Sequence, residues 1–396
     1  MNYNIIDTAD MHWGAVNPVR MDYEMNILYD FIDECFANNI PIHLLNINGD
    51  WWNSKSSLNS KTALYGIHHG HKIKDYAKKY GFKVVFTRGT LSHDNDQLDV
   101  FDDLVDDIFI IVRECTLMEI LPGFNALYCP DENIPSEEYY LKYLNEMLIE
   151  QTIHAGYFHG NFDIIMAKLP DQETEVQSIN NVVFKLDYFS KLIEGPLMSG
   201  HWHTRGEYED LAYIGSFSRF GHNEEEDKGF YFTTYDTDNN SYYRKFIKNP
   251  LAREYRTYNI FTHAFTEIEQ YSKFISVIKD ELKADQDTHL RLVINLTDDK
   301  MENNNYVKLL RETFVNDKRV NVQVKNKLKE KQKNIIKEKR KLIMKKYGYI
   351  IDKNRREEEN LQKFCIDKYD TDIPIDFINK YAVKVREKQS KKLKVE

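Results

Sequence analysis

Five short clusters of Asp, His and Gly stand behind apolar runs, and no other feature of the 396-residue chain limits its fold as strongly. They are Asp10-Met11-His12, Gly49-Asp50, the stretch from Gly89 to His93-Asp94, His159-Gly160, and Gly200-His201-Trp202-His203. The runs ahead of the first four are Tyr3 to Ala9, Ile42 to Ile47, Lys83 to Thr87 and Ile153 to Phe158. Short apolar, β-branched runs that end in polar turn-formers read as buried strands feeding loops. A sheet whose loops leave from one edge therefore brings all five clusters together.

The spacing between the runs predicts an α/β sheet. Met25, Leu28, Phe31, Ile32, Cys35 and Phe36 recur at steps of three and four, which marks an amphipathic helix, and about Leu58 to Tyr80 reads as a second. Strand, helix, strand, helix, strand is the opening order, and such sheets carry their chemistry at the strand C-terminal ends. Further strands are expected at Phe109 to Arg113, Leu211 to Ile214 and Gly229 to Tyr235. Past Pro250 the order becomes strand (Arg253 to Ile260), helix (Phe265 to Leu282), strand (His289 to Leu296), helix (Tyr306 to Phe314) and strand (Val320 to Val324), a second, smaller α/β unit. The expected domains are 1–250, 251–325 and 326–396.

Charge separates the last of these from the rest. From Lys325 onward there are 23 Lys/Arg against 12 Asp/Glu, leaving 31 basic and 51 acidic residues upstream. An acidic body carries a basic tail. Leu328, Ile335 and Leu342 repeat every seven residues, as do Ile336, Ile343 and Ile350, so the tail reads as a helix with an apolar stripe that wants a partner. An acidic body binds nucleic acid poorly unaided, because phosphate neutralisation supplies most non-specific affinity. Metal ions or a partner would have to help.

Asp and His are the ligands suited to Mn²⁺, Fe²⁺ or Zn²⁺, and two-metal phosphoesterase sites need a carboxylate that bridges the ions. In a D-x-H segment leaving a strand, side chains two apart point the same way, so Asp10 and His12 can serve one ion, and His201 and His203 repeat the spacing. The ordered set D-x-H, G-D, G…H-D, H-G and G-H-x-H, over roughly residues 5 to 205, resembles the calcineurin-like metallophosphoesterase superfamily. Tyr213-Ile214-Gly215-Ser216-Phe217 followed by Asp227-Lys228-Gly229-Phe230 is similar to a stretch of its SbcD-type nuclease subunits, which work with the SMC-like ATPase SbcC and include phage recombination endonuclease subunits.

This resemblance implies a β-sandwich flanked by helices, a DNA-capping second domain, and two divalent ions, Mn²⁺ first, with Fe²⁺, Zn²⁺ or Mg²⁺ as substitutes. One ion would be held by Asp10, His12 and His203, the other by His159 and His201, with Asp50 between them. His93 corresponds to the catalytic histidine, and Asp94 would orient it or its loop. The activity implied is that of a DNA nuclease, a 3′-to-5′ exonuclease on duplex ends and an endonuclease on single strands, docked on an SbcC-type ATPase through the C-terminal region and dimeric. The chain departs from the family where Gly-Asn-His-Asp/Glu is expected, since Gly89-Thr90-Leu91-Ser92-His93-Asp94 has no Asn before His93. Ser92 is read as the substitute ligand, ahead of Thr90 and Asn95. The rival readings are a stand-alone phosphatase or cyclic-nucleotide phosphodiesterase, and a non-catalytic scaffold with a degenerate second site.

The remaining features are expected to be structural. His68, His69 and His71 read as a solvated helix face, because no carboxylate or cysteine stands at complementary spacing. Trp51 and Trp52 read as packing beneath the site, while Arg205 and Arg219 are placed as candidate phosphate contacts. No apolar run approaches the ~18 residues of a membrane span, and the start lacks a signal-peptide pattern, so a cytoplasmic setting, the host's for a phage protein, is expected. Cys35, Cys115, Cys129 and Cys365 include no C-x-x-C pair and suggest neither a zinc ribbon nor a disulfide framework. There is no phosphate-binding G-x-x-x-x-G-K-[ST] loop, so ATP dependence would come from another polypeptide.

Overall fold

The computed structural model describes residues 1–54, 60–131, 152–166, 183–285, 287–296 and 303–326, with a few single residues further on. Two compact units are formed, Met1–Tyr258 with Lys279–Arg291 and Lys318–Asn321, and Asn259–Ile278 with Leu292–Asp317 and Val322–Glu396. Among the described residues no helix is long and apolar enough to cross a membrane.

The first half of the larger unit runs β1 (Asn2–Thr8), α1 (Pro18–Glu24), α2 (Asn26–Ala37), β2 (Leu44–Asn48), α3 (Lys61–Tyr80), β3 (Lys83–Thr87), a 3-10 segment (Asn95–Leu104), β4 (Phe109–Val112), β5 (Thr116–Leu121) and β6 (Phe124–Cys129). It continues with β7 (Ala155–His159), the short β8 (Asn161–Phe162), α4 (Asp163–Met166) and β9 (Val183–Phe184), then α5 (Leu186–Leu192), β10 (Leu197–Gly200), β11 (Gly206–Tyr208), β12 (Leu211–Tyr213), β13 (Gly229–Asp236) and β14 (Ser241–Lys248). One six-stranded sheet has the order β14-β13-β1-β2-β3-β4 and the other β11-β12-β10-β7-β6-β5. In the first, β1 to β4 are parallel and reach one edge at β4, while antiparallel β13 and β14 close the other flank; in the second, parallel β12, β10, β7 and β6 lie between antiparallel β11 and β5.

The central strands are buried throughout, as in β2, β7 and β10, because both faces are covered. Between the sheets lie Ile5, Leu44, Val85, Phe124, Tyr128, Tyr157, Met198 and Tyr231. Outside the first sheet, Leu28 and Ile32 of α2 and Ile73 and Ala77 of α3 pack with Leu45, Ile47 and Phe86, while Phe189 of α5 covers the second sheet with Phe158 and Leu197. Each such side chain contributes ~1.5–3 kcal/mol by leaving water. The result is a mixed α/β arrangement in which facing sheets are flanked by helices.

The strands expected from the sequence are present with ends moved by a residue or two, β10 stands ahead of the fifth cluster, and α1, α4, α5, β5, β6, β8, β9, β11 and β14 are additional. In α3 the Ser60 side chain caps Ala63 N at 3.1 Å, and Gly81 ends the helix at φ 77°, its N–H bonded to Ala77 O at 2.8 Å.

In the smaller unit Tyr271 is edge-on to Tyr306 at 4.8 Å and to Phe265 at 5.1 Å, over buried Ile275, Ile278, Leu292, Ile294 and Leu310. These side chains come from α6 (Ile268–Ala284), β16 (His289–Leu296) and α7 (Asn303–Phe314). β16 lies between β15 (Tyr255–Phe261) and β17 (Val320–Asn326) in a three-stranded sheet. Lys325 and Asn326 end β17, and the heptad-striped helix expected after them lies outside the described residues.

Candidate metal centre

The loops that leave β1, β2, β3, β7 and β10 converge. Backbone bonds zip the first two together: Asp10 N to Gly49 O (3.1 Å), His12 N to Asp50 O (2.9 Å) and Trp13 N to Trp51 O (2.9 Å). Asp10, His12, Asp50 and His201 all have positive φ (48°, 46°, 52° and 82°), four of only seven such non-glycine residues among those described. That conformation costs of order 1 kcal/mol or more at each, and it persists where surrounding structure imposes it, chiefly at functional sites. The glycines beside them are dictated by close approach. A Cβ on Gly49, itself at φ 82°, would lie 2.0 Å from His159 Nδ1, one on Gly89 2.2 Å from Asp50 Oδ1, and one on Gly200 2.2 Å from Asn48 O.

Among the described residues three groupings of potential ligand atoms result: Asp10, His12 and His203; His12, Asp50 and His93; and Asp50, His159 and His201. One oxygen, Asp50 Oδ2, is 3.6 Å from His12 Nε2 and 3.3 Å from His159 Nε2. The Asp10 carboxylate accepts from His201 N at 3.1 Å through both oxygens. Asp10, His12, Asp50 and His159 are buried, whereas His93, His201 and His203 are half-buried and form the open side.

Partners behind the histidines select which nitrogen faces inward. His159 Nδ1 bonds Asn48 O at 2.8 Å, His203 Nδ1 bonds Glu224 Oε1 at 2.9 Å, and His93 Nδ1 bonds the Asn53 carbonyl. Glu224 was not foreseen from the sequence, where it sits in a Glu-Glu-Glu run that reads as solvated. It also accepts from Phe220 N (3.2 Å) and Ser216 Oγ (3.3 Å) and pairs with Lys228 (3.1 Å), whose Nζ donates to His203 O (2.7 Å).

Electrostatics follow from burial among mixed charges. Burial pushes Asp10 up to about 6, takes His12 down to about 3 and His201 down to about 4. Burial alone would lower His159, but the Asp50 carboxylate outweighs it and raises the ring to about 10, while His159 in turn holds Asp50 well below the carboxylate range. Glu224 is drawn down to about 2 against its burial by His203 and Lys228, so it is ionised and accepts the His203 Nδ1 proton. His203 Nε2 then offers a lone pair 2.9 Å from His12 Nε2. Two imidazole nitrogens at that spacing match adjacent corners of one ion's shell, where ligands ~2.1 Å from the metal stand about 3 Å apart. The donor set fits divalent cations.

Three assignments need correction. Ser92 is exposed; instead Thr90 faces the cluster, its N 2.6 Å from Asp50 Oδ1 and its Oγ1 3.2 Å from Asp50 Oδ2 and 3.4 Å from both His159 Nε2 and His201 Nδ1. The segment closes a helical turn, with His93 N and Asp94 N bonded to Thr90 O, so Thr90, His93 and Asp94 share a face that Ser92 does not. Arg219 is buried, its guanidinium taken by the carbonyls of Glu226, Ala252 and Arg253, and is no phosphate contact. His69 is buried rather than solvated, bonded to Tyr29 OH (2.8 Å) and Asp22 (2.9 Å), while His68 and His71 are exposed.

Asp94 is a loop anchor, its carboxylate accepting from Trp52 N (3.0 Å) and Gly89 N (2.8 Å), and burial with the nearby Asp50 charge raises it to about 7. Arg205 lies over the Phe246 ring at 4.3 Å, outside the ligand groupings. Trp51 and Trp52 are buried against Phe86 and Phe101. No protein-family model and no curated protein matches this chain.

Proposed function

We propose that the chain is a metal-dependent DNA nuclease subunit of the calcineurin-like metallophosphoesterase superfamily, similar to the SbcD-type subunits, that hydrolyses phosphodiesters with two divalent cations, Mn²⁺ first among them. The observation that carries this reading is the single Asp50 oxygen set between His12 and His159, with Asp10 and His203 on one side and His201 on the other. Two facing sheets with helices outside also support it. Asp10, His12 and His203 would hold one cation, His159 and His201 the second, and Asp50 both. Thr90 takes the place of the family's Asn.

When bound, two such cations lower the pKa of water and neutralise phosphoryl charge. His93, with Nδ1–H given to the Asn53 carbonyl, turns Nε2 to the substrate and, as the imidazolium, passes the Nε2 proton to the departing 3′-oxygen and returns to neutral imidazole. Asp94 fixes the loop that carries it, and Asn48 and Glu224 keep His159 and His203 turned inward. The partners in this reading are DNA at the open side, an SbcC-type ATPase at the basic C-terminal region, and a second copy of the chain, in the cytoplasm.

The Thr90 hydroxyl gives the scaffold reading its one supporting observation, since a hydroxyl is a poorer ligand than an amide oxygen. Calorimetry with Mn²⁺ together with digestion of linear duplex and single-stranded DNA separates the two. Two ions per chain and degraded DNA are expected. One ion at saturation with intact DNA would overturn the nuclease reading in favour of the scaffold.

A further inference from the structure

Cys115 and Cys129 are far from neighbours in sequence, yet their sulfurs lie 3.5 Å apart in the apolar layer outside the second sheet. The ladder explains why. β5 and β6 pair antiparallel with Thr116 opposite Tyr128, so one step further along the same register Cys115 faces Cys129. Directly opposed residues of an antiparallel pair have Cα atoms ~4.5–5.5 Å apart, within the ~4.4–6.8 Å that disulfides span. Only a small side-chain adjustment separates two thiols at 3.5 Å from a bond.

We propose that Cys115 and Cys129 form a redox modification site, a dithiol that a small-molecule disulfide oxidises reversibly to a cross-strand bridge. Both residues are almost fully buried, so reaction needs a local opening. β5 provides it, because it ends its sheet and has β6 as its one ladder partner among the described strands. An edge strand of six residues with a half-exposed face opens at a cost well below global unfolding.

The chemistry balances without any further reagent. The Cys115 thiolate attacks one sulfur of the small disulfide, whose S–S bond breaks and releases one small thiolate. The Cys129 thiolate then attacks the Cys115 sulfur of the mixed disulfide, forming the protein S–S bond and expelling the second small thiolate. Two electrons pass from the protein to the oxidant, and the two thiol protons go to the departing small thiols. The site is independent of the metal centre and of the function proposed for it.

The test uses the full-length native protein with oxidised glutathione, in a Cys35→Ser/Cys365→Ser background that removes the other thiols. Intact mass should fall by two hydrogens, peptide mapping under non-reducing conditions should join residues 115 and 129, and dithiothreitol should restore the starting mass. Amide exchange across Thr116–Leu121 should slow at least threefold on oxidation. Adding Cys129→Ser should leave a single glutathione adduct or no reaction. A stable glutathione adduct in the Cys129-containing protein, or a 115–129 bridge that forms only in denaturant, would overturn the proposal. The wild-type chain, mapped in the same way, supplies the same readout should the background substitutions impair folding.

Discussion

Polar residues are buried in two kinds of place in this molecule, the bodies of strands and helices and the ends of strands, and they are treated differently. Asp7 and Asp10 stand three residues apart at the close of β1. Asp7, within the strand, accepts from Asn46 Nδ2 (2.9 Å) and Thr233 Oγ1 (3.2 Å), and Asn46 is met by Tyr128 OH (3.1 Å), a set of ordinary donors and acceptors. Asp10, past the end, has left-handed backbone and looks into a group of histidines and a second carboxylate. His69, in the body of α3, pairs with Tyr29 and Asp22 and stacks on Trp13 at 4.9 Å; His12, in a strand-end loop, meets another imidazole nitrogen to nitrogen. Asp7 and His69, at body positions, find their hydrogen-bond partners within the fold. The strand ends leave lone pairs aimed at a common point, which is the condition for a ligand from outside.

The largest effect expected at the strand ends is on chemistry. His93→Ala should lower phosphodiester hydrolysis by about 10²–10⁴ while Mn²⁺ stoichiometry stays unchanged, because a proton donor is lost and not a principal ligand. A fall in stoichiometry with the rate would place His93 among the ligands through its grouping with His12 and Asp50 and redraw the site.

Next comes a body position. Burial pushes Asp7 up to about 7, with Asn46 and Thr233 opposing. The unfolded chain ionises this carboxyl near pH 4 and the folded one near 7, so the folded state binds the extra proton between those values and stability falls as pH rises through that window. Asp7→Asn should remove a penalty on the order of 4 kcal/mol at pH 8 and leave pH 4 nearly unchanged. Urea denaturation of both proteins at the two pH values is the measurement. Equal stability differences at pH 4 and pH 8 would mean that Asp7 is ionised in the fold.

Much of this was legible in the sequence because doubly covered parallel strands leave unbroken apolar runs and their polar ends stand out. That is why Asp10, Asp50, His159, His201 and His203 can be gathered from the sequence alone. Strands such as β14, whose residues alternate between exposed and half-exposed, carry no such run and were not foreseen. Thr90 over Ser92 depends on the pitch of one turn, which spacing along the chain does not reveal. Arg219 resembles a free cation until the carbonyls of Ala252 and Arg253 come back to it from more than thirty residues away. Glu224 differs from Glu225 only by which of them tertiary contact turns towards His203. In each case the deciding partner comes from tertiary contact or local backbone geometry, neither of which is visible in residue type.

The position of Glu224 also sharpens the comparison between ends and bodies. Glu224→Gln keeps the shape and removes the charge that holds the His203 Nδ1 proton, so Mn²⁺ affinity should fall about 10–100-fold by calorimetry. Lys228 would lose an ionic partner as well, although Glu226 at 2.6 Å remains. An unchanged affinity would mean that His203 is oriented without Glu224, and the strand-end histidines would then be less dependent on their supports than the geometry implies.

The smallest effect on the metal centre is expected from His69, and it tests whether the two kinds of burial are separate at all. His69→Phe preserves an aromatic ring against Trp13 but leaves Tyr29 OH and Asp22 without the imidazole, a stability loss of about 1–3 kcal/mol. Trp13 follows His12 directly and is tied by its backbone to Trp51 and Asn53, and the Asn53 carbonyl in turn holds His93. If body and end are independent, denaturation will show the loss while Mn²⁺ affinity stays within twofold of wild type. A tenfold weakening would show that the helix body reaches the ligands through Trp13, and that the strand-end loops borrow their left-handed geometry from the aromatic layer beneath them.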